Sequence, residues 1–394
     1  MPPSAAPDVL LDVTPLDTAS RHTGTGRYVA ALARAIAALS PREREGLDVR
    51  ALTSLDGPSP VGPLTLSPTG APPLGADDEV AWLMARRTTL AATLRRIRPR
   101  LFHAPVRVGT PRGSLVPRVV TCLDLIPLVL HADYMPGRWA YRRLAFALEA
   151  ARFHGARRVV AISRFTADEL VRVLGVPASR VDAVPLGVDL DRFHPARTEA
   201  ERAVVAATLA RRGLDLRPYL VHVGAADPRK NVDTLVEGFA RARLDDVDLV
   251  FVGRLRPADE VAIERAFDAS ARPANVRRLG YVPDDELPAI LSGALALPFT
   301  SSYEGFGFTP LEAMACGCPV IASAVTSIAE VCGGATLDVP PRDARALAAA
   351  LRRLIAEPTL AADLRRAGAL RASTFDWRST ALGTIASYAR ALRA

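Results

Sequence analysis

Residues 301–323, SSYEGFGFTPLEAMACGCPVIAS, hold two glutamates, Glu304 and Glu312, eight positions apart with Gly305 and Gly307 between them. A carboxylate can only accept, so each side chain suits a hydroxyl donor, at ~1.5–3 kcal/mol per charged hydrogen bond. Glycines let backbone approach a ligand closely, and the unpaired N–H groups of the helix start that follows favour a phosphate. Since a carboxylate beside a phosphate would repel it, both glutamates are expected to face hydroxyls on either side of the phosphates. Hydroxyls flanking a pyrophosphate describe a nucleotide sugar, with ribose on one side and sugar on the other. A simpler account covers Glu312 alone: with Thr309 as N-cap and Pro310 at the first helical position, Glu312 completes a capping box. It leaves Glu304 and the two glycines unexplained.

Other stretches carry weaker signals. VGAADPRKNV sets Arg229 and Lys230 just after a strand, where two cations could neutralise the charge gathering on a departing diphosphate, or could equally be a solvated loop. HTGTGRY supplies Gly24, Thr25 and Gly26 before a helix expected to begin near Tyr28; Val29 stands where a dinucleotide fingerprint would need its third glycine. His103 ends the strand LFHA, and a lone histidine there reads either as a site residue or as a hydrogen-bonded structural one. No Asp-x-Asp cluster follows a suitable strand, so no metal is expected. Cys122, Cys316, Cys318 and Cys332 have no metal-binding spacing and read as small buried residues.

To position these residues, the chain alternates short β-branched runs with longer amphipathic ones, the pattern of βα units around parallel sheets, and does so twice. Strands are expected at residues 9–13, 49–53, 101–104, 119–123, 159–163 and 181–186, then at 219–224, 248–253, 276–282, 294–299 and 319–323. Helices are expected over 28–39, 80–97, 139–153 and 166–174. The polar stretch DRFHPARTEAERA separates the two series, so the domains are placed at 1–198 and 199–374, with a terminal helix over 375–394. The Pro-, Gly- and Ser-rich residues 53–79 read as a surface loop, serving as a lid or as a plain spacer. Two doubly wound domains bind ligands at the carboxyl ends of their strands, with a cleft between facing domains as the natural site.

Composition bounds the class. The chain has 394 residues, 49% hydrophobic and 23% charged, as in ordinary globular proteins. Its charge of +8 comes from 50 basic against 42 acidic residues, spread without a nucleic-acid-like tail. The densest basic stretch, residues 138–158, mixes arginines with Trp139, Tyr141 and Phe153, and reads as a helix with a solvated and a packed face or as a membrane-docking surface. No apolar run reaches the roughly 18 residues of a membrane span, and the opening lacks the marks of a signal peptide. The expected location is cytoplasmic, with room for peripheral contact on the inner membrane face.

EGFGFTPLEAMACGCPVIAS closely resembles the E-x7-E segment of retaining GT-B glycosyltransferases of family 4, the group holding many mannosyl- and rhamnosyltransferases. VLLDVTPLDTASRHTGTGRYVAAL, VVAISRFTADEL, RVDAVPLGVDLDRFHP, VGAADPRKNVDTLVEGFA and FDWRSTALGTIASYARAL extend the likeness over almost the whole chain. It implies an α/β fold of two Rossmann-like domains facing across a cleft, the last helix crossing back to the first. The implied activity is metal-independent, retaining hexosyl transfer from a GDP-, UDP-, ADP- or dTDP-sugar to a hydroxyl on a glycan, a lipid-linked glycan or a small molecule. That implies Glu312 on the ribose and Glu304 at the transferred sugar. Arg229 and Lys230 would meet the phosphates, the segment Gly305, Phe306, Gly307 and Phe308 would line the donor, and the 24–26 turn and His103 would face the cleft. In VVTCLDLIPL the family usually carries His-Asp where this chain has Leu123 and Asp124. Leucine offers neither donor nor acceptor, so altered sugar choice, a slower enzyme or a non-catalytic relative that binds a nucleotide sugar or a partner enzyme all follow as alternatives.

Overall fold

In the computed structural model of the chain the described residues are 6–53, 64, 66–68, 89–106, 116–130, 139–224, 227–268 and 275–394. Most of the loop expected over 53–79, and the first part of the helix expected over 80–97, lie outside them. The chain divides into two compact units: one takes the described residues up to Gly187 with Asp376–Ala394, the other Val188–Phe375.

Among the described residues the first unit is built on seven parallel strands, β1 (Val9–Asp12), β2 (Val49–Thr53), β3 (Leu66–Pro68), β4 (Leu101–Ala104), β5 (Arg118–Cys122), β6 (Arg158–Ala161) and β7 (Val181–Ala183). Their order is β3-β2-β1-β4-β5-β6-β7, with Val9 paired to Val49 on one side and to Leu101 on the other. All of β1 and β4 is buried, which is why these strands read as unbroken apolar runs and not as alternating ones. The strand order reverses between β1 and β4, so their carboxyl ends part there and leave a crevice position.

The last helix, Trp377–Arg393, belongs to this unit and packs on the helix Gly24–Ala38 and on β4, β5 and β6. Its buried face includes Ala381, Thr384, Ile385 and Tyr388, spaced three and four apart as one helical stripe requires. Two polar devices fasten it. Asp182 accepts from Arg158 Nε and Nη2 at 2.5 and 2.6 Å, from Ser387 Oγ at 2.7 Å, and pairs with Arg390 at 2.9 Å. Inside the core, Tyr388 OH meets His103 Nδ1 at 2.7 Å, His103 Nε2 meets Thr121 Oγ1 at 2.9 Å, and Thr121 Oγ1 meets Tyr28 OH at 2.9 Å.

The second unit has β8 (Tyr219–Val223), β9 (Asp248–Val252), β10 (Val276–Gly280), β11 (Leu297–Phe299), β12 (Val320–Ala322) and β13 (Leu337–Asp338), ordered β10-β9-β8 and β11-β12-β13. A parallel bridge between Leu220 and Ala296, with Val221 N donating to Ala296 O at 3.0 Å, sets β8 beside β11. Here too the order reverses, between β8 and β11. The helix Val232–Ala242 turns Val232, Leu235, Val236, Phe239 and Ala242 into the core against Leu347 and Leu351, each large side chain worth ~1.5–3 kcal/mol of burial.

The unit division differs from the boundary near residue 198 read from the polar stretch. Residues 188–198 go with the second unit, where Val188 N donates to Phe375 O at 3.1 Å. All four cysteines are free and buried. The helix Trp139–His154 buries Phe153 and exposes Leu144, Phe146 and Leu148; the side chains of 139–142 lie outside the described residues. Among the described residues no helix is long and apolar enough to cross a membrane.

Removing the hydroxyl of Tyr388 would strand Nδ1 of a histidine with no solvent access. Tyr388→Phe is therefore expected to lower the unfolding free energy by about 1–3 kcal/mol in urea titrations, with an unchanged m-value.

Candidate functional site

In the second unit the sequence candidates gather where β8 and β11 end. After β8 the chain makes a tight turn, Pro228–Lys230, whose N-cap Asp227 accepts from Arg229 N at 3.1 Å. Asp227-Pro228 is a cap followed by a proline at the first helical position, so this turn has a local cause. Asn231 follows in the left-handed region, φ 48°, and starts the helix Val232–Ala242. Three bonds stitch this turn to the loop after β11: Asn231 Nδ2 to Thr300 O at 2.8 Å, Thr300 Oγ1 to Lys230 O at 2.7 Å, and Ser302 N to Arg229 O at 2.9 Å.

Glu304 sits between the two loops, 8% exposed, and three donors converge on its Oε1: Arg229 Nη1 at 2.5 Å, Lys230 Nζ at 2.7 Å and Ser301 Oγ at 2.7 Å. Arg229 is further held by Asp227 Oδ2 at 3.2 Å and by Tyr303 O at 3.1 Å, and Lys230 Nζ lies 4.7 Å from the Phe299 ring centroid. Burial pushes the Glu304 carboxyl upward, yet Lys230 and Arg229 outweigh it and hold its pKa at about 2. Lys230 moves down from its ordinary value, because burial exceeds what Glu304 returns and Arg229 repels it. The two directions agree: one carboxylate is shared by two cations. Sequence reasoning gave Glu304 a hydroxyl donor and did not pair it with Arg229 and Lys230, which lie more than seventy residues earlier in the chain. Two buried cations without an anion between them would carry an unrelieved charge, and Glu304 supplies the relief.

His222, on β8, was missed by sequence reasoning because a lone histidine in an apolar strand gives no signal. It is buried, and burial followed by Lys230 lowers its pKa to about 4, so at neutral pH it adds no third positive charge.

The helix after the glycines spans Phe308–Ala315, and Pro310–Ala315 are all buried. Its N-cap is Gly307, at φ 112° with no side-chain cap bond, so the helix begins two residues earlier than Thr309 as N-cap would place it. Thr309 lies inside the first turn, where a helical backbone cannot cap, and the capping box expected for Glu312 does not form. Gly307 is needed twice, for its positive φ and because a Cβ there would stand 2.6 Å from Ile328 Cδ1. Glu312, 4% exposed, lies within this helix. Phe306 is buried against Phe308 and Phe375, edge to face.

After β12 comes a loop the sequence did not mark. Ser327 Oγ donates to Glu304 O at 2.8 Å, and Glu304 N donates to Thr326 Oγ1 at 3.3 Å.

In the first unit, Gly24, Thr25 and Gly26 form the opening turn of the helix Gly24–Ala38, capped by Thr23, and not a loop before a helix at Tyr28. A Cβ on Gly26 would fall 2.3 Å from Ser20 O, so the backbone of 20–21 packs directly on this turn. Leu123 and Asp124 follow β5; Asp124 Oδ1 accepts from Ile126 N at 3.0 Å. His103 is placed differently from expectation. It is fully buried on β4 with both ring nitrogens engaged, and burial lowers its pKa to about 3. A neutral ring tied to Tyr388 and Thr121 fastens the last helix and has no nitrogen left for a substrate. Among the described residues no group of three or more His, Cys, Asp or Glu is placed to hold a metal ion.

Residues 22–192 match the family described as Glycosyltransferase Family 4, and residues 211–371 match Glycosyl transferases group 1. O-antigen chain mannosyltransferase B of Escherichia coli is 28% identical over 304 residues, 76% of this chain and 76% of that protein. The D-inositol 3-phosphate glycosyltransferase of Salinispora tropica is 34% identical over 256 residues, 60% of this chain; the match spans about half of that relative, 52%. Among solved structures, sucrose-phosphate synthase from Thermosynechococcus elongatus aligns with a TM-score of 0.72 at 25% identity, covering 95% of this chain and 96% of that one.

The Glu304 ion pairs carry a pH signature. The folded pKa of about 2 lies below the ordinary 4.5, so the contribution is complete above about 4.5 and is lost as pH falls through about 2. Glu304→Gln is expected to cost about 3 kcal/mol of unfolding free energy at pH 7, with less than half of that difference left at pH 3 in parallel denaturant titrations.

Proposed function

The chain belongs to the family 4 glycosyltransferases of the GT-B fold, and on that premise we propose that it moves a hexose from a nucleotide sugar to an acceptor hydroxyl with retention of configuration. One observation carries the proposal: Arg229 and Lys230 converge on Glu304 beside a helix N-terminus that no side chain caps, at the strand-order reversal of the second unit. Cations and N–H dipoles held in place before the reaction favour a group that gains negative charge as its bond to carbon breaks, as a departing nucleoside diphosphate does.

In this reading Glu312 accepts from the ribose hydroxyls. The donors on Glu304 fall on Oε1, and Oε2 is the oxygen that meets a hydroxyl of the transferred sugar. Gly305, Phe306, Gly307 and Phe308 line the donor. The diphosphate oxygens lie against Arg229, Lys230 and the N–H groups opening the helix Phe308–Ala315. The acceptor hydroxyl attacks the anomeric carbon from the face the phosphate leaves, and its proton passes to a leaving phosphate oxygen, so configuration is kept and no protein base is consumed. Arg229 and Lys230 meet the developing charge in the metal-independent version of this step. The first unit holds the acceptor, with the turn at Gly24, Thr25 and Gly26 and the Leu123-Asp124 segment as its contacts.

Mannose is the proposed sugar, GDP-mannose the first donor to try, because a relative matched over three quarters of the chain is named a mannosyltransferase. The acceptor is a glycan, a lipid-linked glycan or a small molecule.

Calorimetry with UDP, GDP, ADP and dTDP tests the donor site. One nucleoside diphosphate is expected to bind, and Glu312→Ala to weaken it about 10–100-fold. Glu304→Ala is expected to depress turnover far more than nucleotide affinity. No binding by any of the four, or equal and near-wild-type behaviour of both variants, would overturn the assignment.

A further inference from the structure

The loop after β12 is tied to Glu304 through two consecutive hydroxyl side chains. Thr326 adopts φ 56°, ψ −140°, a backbone region that glycine enters freely and a β-branched residue does not. Nothing local requires a threonine there: the helix it precedes, Ser327–Cys332, receives no side-chain cap bond from it. What its side chain does instead is accept the N–H of Glu304 at 3.3 Å, while the next residue, Ser327, fully buried, donates to the Glu304 carbonyl at 2.8 Å. The Glu304 N–H and C=O are therefore held by two consecutive hydroxyls from the loop and helix start that follow β12, and the side chain by Ser301, Arg229 and Lys230.

Glu304 sits in a segment without helix or strand bonds of its own, between a serine pair and a glycine pair; its own stretch holds the carboxylate through Ser301 Oγ, while its backbone is held by the loop after β12. We propose that Thr326 and Ser327 are positioning residues for Glu304, a hydroxyl clamp that fixes where its carboxylate points and for which the strained backbone of Thr326 is retained. The proposal rests on the donor-site role given to Glu304 above. A glycine at 326 would relax the backbone and lose the acceptor; a serine would keep the acceptor.

This opposition gives the test. In the ligand-free protein, Thr326→Gly is expected to raise amide hydrogen exchange at Glu304 about tenfold without lowering the thermal midpoint, and Thr326→Ser to leave both near wild type. Ser327→Ala is expected to raise exchange at Glu304 in the same way. With the nucleotide sugar that turns over, Thr326→Gly is expected to cut kcat about tenfold, Thr326→Ser to restore it, and affinity for the nucleoside diphosphate to stay within about threefold. Unchanged exchange at Glu304 in Thr326→Gly overturns the clamp. So does a lowered midpoint with exchange raised throughout the unit, which would make Thr326 an ordinary packing residue, or a kcat that Thr326→Ser fails to restore. If the wild type turns over no nucleotide sugar, the function proposed above fails, while the exchange measurement still decides the clamp.

Discussion

A single carboxylate oxygen holds the second unit's site together. Glu304 Oε1 takes Arg229, Lys230 and Ser301 at once, in a place where charge has little water to stabilise it. Burying two cations and one anion is costly, and removing one partner would leave the others uncompensated. Such an arrangement persists only if its surroundings hold every member in place. Here they do: Asp227 and Tyr303 O fix the guanidinium, the Phe299 ring lies beside the ammonium, and Asn231, Thr300 and Ser302 bind the two loops to each other through backbone groups.

The reason these loops meet at all is the sheet. Because β8 and β11 are neighbours although more than seventy residues apart in the chain, the turn ending in Lys230 and the loop starting at Thr300 emerge side by side. The strand order reverses at that pair, and in open α/β sheets such a reversal is where ligands bind beyond the strand ends. The first unit repeats the logic between β1 and β4, and there the glycine turn at 24–26 opens a helix beside β1. Its buried chain of Tyr388, His103, Thr121 and Tyr28 links the last helix, two strands and the helix bearing that turn, so residues far from any ligand fix the orientation of one that could meet it.

Much of this was legible in the sequence. Strands β2 and β4 lie where their apolar runs put them, because buried parallel strands must be apolar on both faces. The short strands β3 and β13 were not read, since three and two residues carry no periodic signal. Thr309 looked like a cap because threonine, proline and a glutamate stood in the right order. The left-handed turn at Gly307 started the helix first, and a cap depends on backbone angles that residue order does not report. His103 looked like a site residue for want of its partner, which comes from residue 388.

The amino-acid sequence alone determined the alternation of strands and helices, their doubling into two parallel-sheet units, and which residues are proposed to meet a nucleotide sugar, because period, apolar content and side-chain chemistry are local properties. Tertiary structure alone decided which of those residues act together. That Glu304 neutralises Arg229 and Lys230, that Thr326 and Ser327 grip its backbone, and that His103 fastens the last helix are all contacts across long sequence separations. They depend on which strand ends become neighbours, and a strand's neighbours are chosen by the burial of the whole sheet and not by its own residues.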